Sequence, residues 1–545
     1  MLGRVKPLDA ILATAEKRAL HRTLGPVQLT LLGIGAVIGT GIFVLTSEAA
    51  QKAGPGMLLS FVVAGSVCAV AALCYAELAS MVPVSGSAYT YTYAVVGEIF
   101  AWMVGWALIL EYAVGASAVA VGWSNHAVGL INGLGFHFPA VISNADGLLA
   151  HVQLALGAAH SEDLDKALKI GGWINVPAII VTAVVTWLLV IGTTESARFN
   201  AVLVVVKITA LTAFVALTLP VLDAENFNPF LPTGIGNPLD SSGLGVLGAA
   251  ASIFFAYVGF DAVSTAAEET KNPQRNVPIG LIGSLLICTA FYLLVASGAI
   301  GAIGAQPVVN AAGRVLLPGT PELAGRCAAI VQSGAIEPLV CSREALVHVL
   351  QAIDWPLIGR LVGLAAVVAL PSVVLMMMFG QTRIFFTMAR DGLLPEKLAS
   401  VHPKHRTPHV VTVVTGIAAA FAAAVLPVGR LADYSNAGTL FAFMMVAISV
   451  MVLRRTNPNR ARPFRAPFLW VIAPLAIIGC VTLYLSLPLT AKLVLPVWGV
   501  VGLVVYFGYS RNRSHVGRGM VEVPELDPDI PPQPVPSLPG GTALD

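Results

Sequence analysis

Charge is what this chain has least of. Asp, Glu, Lys and Arg make up 11% of its 545 residues, while 57% are hydrophobic; soluble globular proteins carry roughly 25% charged residues. A shortfall that large is not a larger core, because a soluble fold still needs charge to cover its surface, so most of this chain is expected to meet lipid. The net charge of +2 gives no footprint for nucleic acid. Cysteine is also sparse. Cys68, Cys74, Cys288 and Cys480 fall in apolar runs, where packing is the expected role, and only Cys327 and Cys341 share a polar segment in which a bridge could form on an oxidising side. No HExxH, GxSxG or GxxxxGK[ST] pattern occurs, which argues against metalloprotease, serine-hydrolase and ATP-pump readings. Nothing calls for a catalytic residue, a cofactor or a metal. The N-terminus holds charges throughout Met1–Pro26 and lacks the apolar stretch and small-residue cleavage site of a signal peptide. It reads as an arm on the cytoplasmic side, with a short amphipathic helix expected on the membrane.

What is present is a series of long apolar runs. A crossing needs about 20 mainly apolar residues, and twelve segments qualify: Val27–Ala50, Met57–Met81, Val95–Val121, Ile174–Ile191, Ala201–Leu219, Leu244–Ala267, Ile279–Ile303, Trp355–Met388, Val410–Leu426, Leu431–Leu453, Phe468–Leu487 and Leu493–Tyr509. The eighth is too long for one straight crossing and is expected to run on into the cytoplasm. With the N-terminus inside, 20 Lys and Arg fall on the inner side, 8 on the outer and 3 (Lys207, Arg360, Arg383) within spans, of 31 in all. This asymmetry puts both ends in the cytoplasm of a multi-pass inner (plasma) membrane protein. Two outer connections are long, Gly122–Trp173 and Gly304–Asp354, and the Pro-rich acidic tail from Ser514 is expected to be disordered.

The first span reads LLGIGAVIGTGIFVL, with Gly33, Gly35, Gly39 and Gly41 close together. Glycine in a helix interior costs about 1 kcal/mol relative to Ala, and unwound backbone at membrane depth survives only where it lines a cavity or is buried in protein. Close helix packing through small residues accounts for the glycines equally well on their own. The sixth span, SIFFAYVGFDAVSTAAEE, tips the balance: it carries Gly259 and a carboxylate, Asp261, near the membrane interior. Five helices apart, the two segments enter from opposite sides, which is the arithmetic of an inverted repeat with helices 1–5 set against 6–10. Interrupted helices at matching positions point to a midplane binding site. Half-helix N-termini suit an anion and unwound carbonyls a cation, and a zwitterionic amino acid carries both.

At these residues the chain resembles the amino acid–polyamine–organocation permeases, and among them the bacterial relatives of the cationic amino acid transporters. The matching stretches are GIGAVIGTGIF (Gly33–Phe43), CYAELASMVPVSGSAYTYTYAVVGE (Cys74–Glu98), GWALILEYAVGASAVAVGWS (Gly105–Ser124), FFAYVGFDAVSTAAEETKNPQRNVPIGL (Phe254–Leu281) and GQTRIFFTMARDGLLP (Gly380–Pro395). The resemblance implies an all-α membrane fold of about 12 transmembrane helices in a five-plus-five inverted repeat (LeuT-like) with helices 1 and 6 broken, plus two extra helices. The expected divisions are an arm at 1–26, a first repeat at 27–219, a second at 244–453, helices 11–12 at 468–509 and a tail at 514–545. It implies substrate contacts at Val37, Thr40 and Gly41 in the first break and at Phe255, Ala256 and Val258 in the sixth, much of them through backbone.

Lys207 lies inside the fifth span. Intramembrane ionisable groups are usually functional, though a lysine roughly 9–10 Å from the span's cytoplasmic end could also snorkel to water. The resemblance favours a proton-coupling role, since in proton-coupled relatives a lysine on this helix stands where sodium-coupled ones bind a cation. Charged, it would brace helix 5 against the broken helix 1; neutral, it would release it. Glu111 in helix 3 and Tyr292 in helix 7 are candidates for the solute pathway, against structural pairing for the first and plain packing for the second. Asp261 is expected to be structural, capping the second half of helix 6, and Glu77 to make an interfacial or gating contact. HPKHRTPH (His402–His409) lacks one helical face and a supporting carboxylate, so no metal is assigned to it. Met376–Met378 is expected to pack helix 8, with one Met free to shape the substrate pocket.

These readings converge on a secondary transporter, with protons and a small neutral or cationic L-amino acid as its partners in the bilayer. An exchanger, a polyamine carrier and a non-transporting amino acid sensor remain as alternatives. A small membrane-protein subunit is neither required nor excluded by the sequence.

Overall fold

The computed structural model of the chain describes residues 4–7, 24–82, 86–157, 161–192, 197–265, 270–405 and 407–519. The first apolar run is interrupted twice. It forms α1 (Pro26–Val37), a four-residue α2 (Thr40–Phe43) and α3 (Leu45–Ala53). A turn at Gly54–Gly56, with Gly54 at φ +62°, leads into α4 (Met57–Met81), followed by α5 (Ser87–Val95) and the long α6 (Glu98–Gly133). The next connection carries an antiparallel hairpin, β1 (Ser143–Asn144) with β2 (Ile174–Asn175), Ser143 facing Asn175, and between its strands α7 (Asp146–Ala155) and α8 (Glu162–Ile170). Then come α9 (Val176–Ile191) and α10 (Ala197–Thr218). α11 (Gly245–Ile253) tightens into a 3-10 turn at Phe254–Tyr257, and α12 (Ala262–Thr265) resumes beyond a break. The remainder is α13 (Pro273–Ile303), α14 (Pro321–Gln332), α15 (Ala345–Ala352), α16 (Pro356–Arg390), α17 (His409–Val425), α18 (Val428–Thr456), α19 (Leu469–Ser486) and α20 (Leu489–Val505).

Eight helical stretches among the described residues are long and apolar enough to cross a membrane, and α1, α9, α11 with its turn, and α17 are shorter apolar helices. Their outer faces are bare hydrocarbon: Phe421 on α17 is 71% exposed and Leu286 on α13 is 62% exposed. In water such a surface would drive aggregation; lipid accepts it.

Packing sorts the helices into two groups. α1, α4, α11 and α13 pack on one another, while α6, α9, α16 and α17 form a second set, with α18 lying against members of both. α10 touches α1 and α13 on one side and α16 on the other. Both described ends of the chain meet on one face, where the Arg4 guanidinium donates to the Arg511 carbonyl at 3.0 Å. The two long connections meet on the opposite face. There α8 packs on α14, Gln153 donates to Glu322 at 2.8 Å and Arg343 pairs with Asp146. These are the terminal face and the loop face below.

Several expectations change. The third helix runs past Val121 to Gly133 because its polar residues turn inward: Ser124 is buried and donates to Asn175 Oδ1 at 2.6 Å, and His126 Nδ1 stands 3.0 Å from the Gly122 carbonyl. The length expected of the eighth is unaltered: it is one helix of 35 residues with Pro371 within it. The tail is ordered through Gly519, not disordered from Ser514: Ser514 Oγ bonds Glu98, and the His515 amide donates to the Asp391 carbonyl at 3.1 Å. Residues 520–545, most of the N-terminal arm and the Arg198 side chain lie outside the described residues. Cys327 and Cys341 are joined as a disulfide, with 5.4 Å between their Cα atoms, and the other four cysteines are free and buried.

Candidate functional site at the paired helix breaks

The first break begins where α1 stops. Ile38 is extended (φ −72°, ψ 97°), and Gly39 takes φ −149° and ψ −144° before Thr40 re-enters helix. The second begins at Val258 (φ −59°, ψ 137°) and passes through Gly259 at φ +111°, a conformation open to glycine and strained for other residues. A methyl group on Gly259 would stand 2.9 Å from the Ala36 carbonyl oxygen, so glycine also lets the sixth segment lie directly on α1. Gly41 does the same from the other side: a Cβ there would come within 2.3 Å of Ala256 Cα. Both breaks are therefore built where two main chains touch. All six sequence-predicted contact residues, Val37, Thr40, Gly41, Phe255, Ala256 and Val258, come together here and are buried. Thr40 Oγ1 is buried with no hydrogen-bond partner among the described residues.

Breaking a helix frees carbonyls that lipid cannot satisfy. Lys207 answers one of them. Its side chain is 1% exposed, which excludes snorkelling in this conformation, and its Nζ donates to the Gly35 carbonyl at 2.8 Å. α10 is thereby tied to the C-terminal end of α1, where the helix dipole favours a positive group. Tyr292 of α13 answers others: its hydroxyl stands 2.9 Å from the Val37 carbonyl and 2.8 Å from that of Ala256. One hydroxyl proton serves two carbonyls, one from each break, and donates to one at a time. Asp261 directly precedes α12, where it was expected as a cap, and it has partners in the break as well. Its carboxylate accepts from the Gly259 amide at 3.3 Å and from the Tyr112 hydroxyl at 3.0 Å, so it holds the break itself and anchors it to α6.

Beside Phe255 the wall is apolar but for one hydroxyl. A Cβ on Gly115 of α6 would meet Ser435 Oγ at 3.3 Å, Met377 Sδ at 3.6 Å and Phe255 Cε2 at 3.7 Å. Met377 is thus the member of the Met376–Met378 run that reaches this wall. Glu111 lies one helical turn before Gly115. Its carbonyl accepts from Ser435 Oγ at 2.9 Å, and neither of its buried carboxyl oxygens has a hydrogen-bond partner among the described residues.

Charged clasps close the bundle at both faces. Toward the loop face, Lys52 at the end of α3 pairs with Asp433 of α18 at 3.0 Å, and Ser252 of α11 bonds both partners. On the terminal face Lys6 pairs with Asp391 at 2.7 Å, and the Tyr89 hydroxyl donates to the same carboxylate at 2.7 Å. Beside them Glu98 takes Arg4 at 3.4 Å and the Tyr506 hydroxyl at 2.8 Å. Glu77, expected to make an interfacial or gating contact, pairs with two arginines: Arg454 holds it with bonds of 2.9 and 2.5 Å, and Arg462 stands 3.3 Å away. Desolvation offsets much of the gain from such buried pairs, whereas removing one partner costs about 3–5 kcal/mol; they specify a closed arrangement more than they add net stability. Sequence reasoning placed Lys52 in an outer connection and gave no role to Lys6, Asp391, Asp433 or Gly115. The only available signal was an unmatched charge at each end of otherwise apolar runs. In the His402–His409 run, His402 Nδ1 accepts from the amides of Lys404 and His405, both at 3.2 Å, which commits that nitrogen to the turn.

Comparison with known proteins places these features in context. A family model described as amino acid permease matches residues 24–508. The chain is 41% identical over 510 residues to a branched-chain amino acid permease of Bacillus subtilis, an alignment covering 94% of this chain and 97% of that protein. It is 38% identical over 514 residues to a methylthioribose transporter of the same organism, covering 94% and 98%. Against the vacuolar cationic amino acid transporter 2 of Arabidopsis thaliana the identity is 35% over 461 residues, covering 84% of this chain and 64% of the relative.

Proposed function

The chain belongs to the amino acid permease family, and from that premise we propose that it takes up a small neutral L-amino acid, coupled to protons, by alternating access. The observation that carries this reading is the meeting of two helix breaks at Gly41 and Ala256, with the Tyr292 hydroxyl shared between their carbonyls. The substrate carboxylate would sit against the main-chain N–H groups that open α2, beside the Thr40 hydroxyl, and its ammonium against the carbonyls of Phe255 and Ala256. The side chain would point to the wall of Gly115, Met377 and Phe255. Apart from the Ser435 hydroxyl that wall is apolar, which suits a neutral side chain and agrees with the branched-chain relative.

A cationic side chain is the second reading. Glu111, one turn from Gly115 on the same helix, is the observation that favours it. The methylthioribose relative makes a neutral thio-sugar a third arm of the test, one that would leave a carboxylate-binding break unused.

Five elements of each half correspond in this reading: the first break with α4, α6, α9 and α10, and the second with α13, α16, α17 and α18, as an inverted repeat. Alternating access follows as motion of the group α1, α4, α11 and α13 against α6, α9, α16 and α17. The terminal face, which carries the excess of Lys and Arg, is cytoplasmic and the loop face external. Lys207 couples the cycle to protons: protonated, it holds the Gly35 carbonyl; once it releases its proton to the cytoplasmic side, α1 is free to swing.

The test is uptake into proteoliposomes of labelled L-leucine, L-alanine, L-lysine and methylthioribose, with and without an imposed pH gradient. Gradient-driven accumulation of leucine or alanine is the expected result. Lysine alone would move the assignment to the cationic class, and methylthioribose alone would overturn the amino acid reading.

A further inference from the structure

Above the first break, on the loop face, lies a half-open cavity of about 430 Å³. Its floor reaches Val44, the hinge residue between α2 and α3, and its walls include Val121 of α6, Leu149 of α7 and Ala328 of α14. The cavity therefore opens onto the outer end of the broken helix, outside the site described above.

Most polar groups around it are already engaged. The Gln51 amide donates to the Val308 and Leu316 carbonyls at 2.9 and 2.8 Å and accepts from the Val308 amide at 2.8 Å. Asn175 Oδ1 accepts from Ser124 and from the Ala178 amide, and Asp146 is paired with Arg343. Glu48 is different. It lines the cavity, and its Oε2 is buried with no hydrogen-bond partner among the described residues. Lys52, one turn further along α3, has its charge met by Asp433. The ionisable groups lining the cavity are Glu48, Asp146, Glu337 and Arg343; Asp146 and Arg343 pair, which leaves two carboxyls in the lining, with the Arg430 and Lys52 cations acting on Glu48 from outside it. A buried acceptor without a donor is costly, and the donor that fits an acidic hollow of this size is an organic ammonium.

We propose that this cavity is a second, outer binding site for the ammonium group of an arriving amino acid, with Glu48 as its anionic anchor. The proposal rests on the transport reading. A solute held here waits directly above Val44, and the opening of the Lys52–Asp433 clasp then admits it to the breaks. An outer site raises the local concentration of solute at the closed gate, so its loss shows in KM before it shows in the maximal rate.

The test uses the full-length protein and whichever of L-leucine, L-alanine and L-lysine the wild type takes up. Equilibrium dialysis of the labelled amino acid should resolve a tight and a weaker class of sites, with ethylamine competing for the weaker class and propionate failing to. Glu48→Gln should abolish the weaker class, leave the tight class intact and raise the uptake KM about tenfold, the scale of roughly 1.4 kcal/mol for one lost charge-assisted hydrogen bond. Ala328→Trp, which fills the cavity from α14 without altering Glu48, should do the same. A single class of sites in the wild type, or a weaker class that survives both substitutions, overturns the outer site while leaving the transport reading standing. A wild type that binds none of the three amino acids overturns the transport reading instead.

Discussion

Replacing Lys207 by methionine keeps the length and apolar bulk of the side chain and deletes its donor. In the structure that donor is 2.8 Å from the Gly35 carbonyl, at the end of the helix that must move. A hydrogen bond contributes about 1 kcal/mol net when neutral and up to about 3 kcal/mol when the donor is charged. A bond made in one state of a two-state cycle and absent from the other biases that equilibrium by its own strength, here roughly 5- to 150-fold. On the proposed mechanism Lys207→Met removes the link between proton binding and the position of α1 while leaving the proposed substrate site in place. In proteoliposomes the variant should lose accumulation driven by a pH gradient while still exchanging internal for external amino acid, and its circular dichroism should match that of the wild type. Gradient-driven accumulation at wild-type levels would refute the reasoning, because the same carbonyl would then be released and recaptured without any proton.

Three further substitutions probe the breaks. Gly41→Val places its Cβ within 2.3 Å of Ala256 Cα; backbone cannot yield as a side-chain tip can, so radiolabelled substrate binding should fall below detection with helix content unchanged. Tyr292→Phe deprives the Val37 and Ala256 carbonyls of their common donor and should weaken binding about 5- to 10-fold, the effect of roughly 1 kcal/mol or slightly more, as read by competition binding. Gly115→Ala puts a methyl 3.3–3.7 Å from Ser435, Met377 and Phe255. It should shift preference from leucine toward alanine by about 10-fold or more in relative kcat/KM, since one methylene is worth about 1–3 kcal/mol in an apolar pocket.

What the sequence revealed and what it hid follow from the range of the interactions. The breaks were legible because glycines mark them: Gly259 takes φ +111°, and Gly41 leaves room for the main chain at Ala256. Lys207 was legible because a lysine inside an apolar run needs a reason, although its acceptor, the Gly35 carbonyl, lies 172 positions away. The clasps were not legible. Lys6 and Asp391 are 385 residues apart, and Lys52 and Asp433 are 381 apart; each residue alone reads as an ordinary charge at a span end. The outward extension of α6 was hidden because Ser124 and His126 look solvent-facing until β2 and its Asn175 fold against them. The ordering of residues 514–519 was hidden because composition reports on the chain alone, whereas Glu98 and the Asp391 carbonyl supply partners from elsewhere.

The central claim is that the two breaks form one substrate site, and a structure determined with the transported amino acid bound tests it most directly. The carboxylate should rest on the main-chain amides beginning at Thr40 and the ammonium on the carbonyls of Phe255 and Ala256, with the side chain beside Gly115. A ligand seated elsewhere, with Gly41 and Ala256 still in contact beneath it, would contradict the claim.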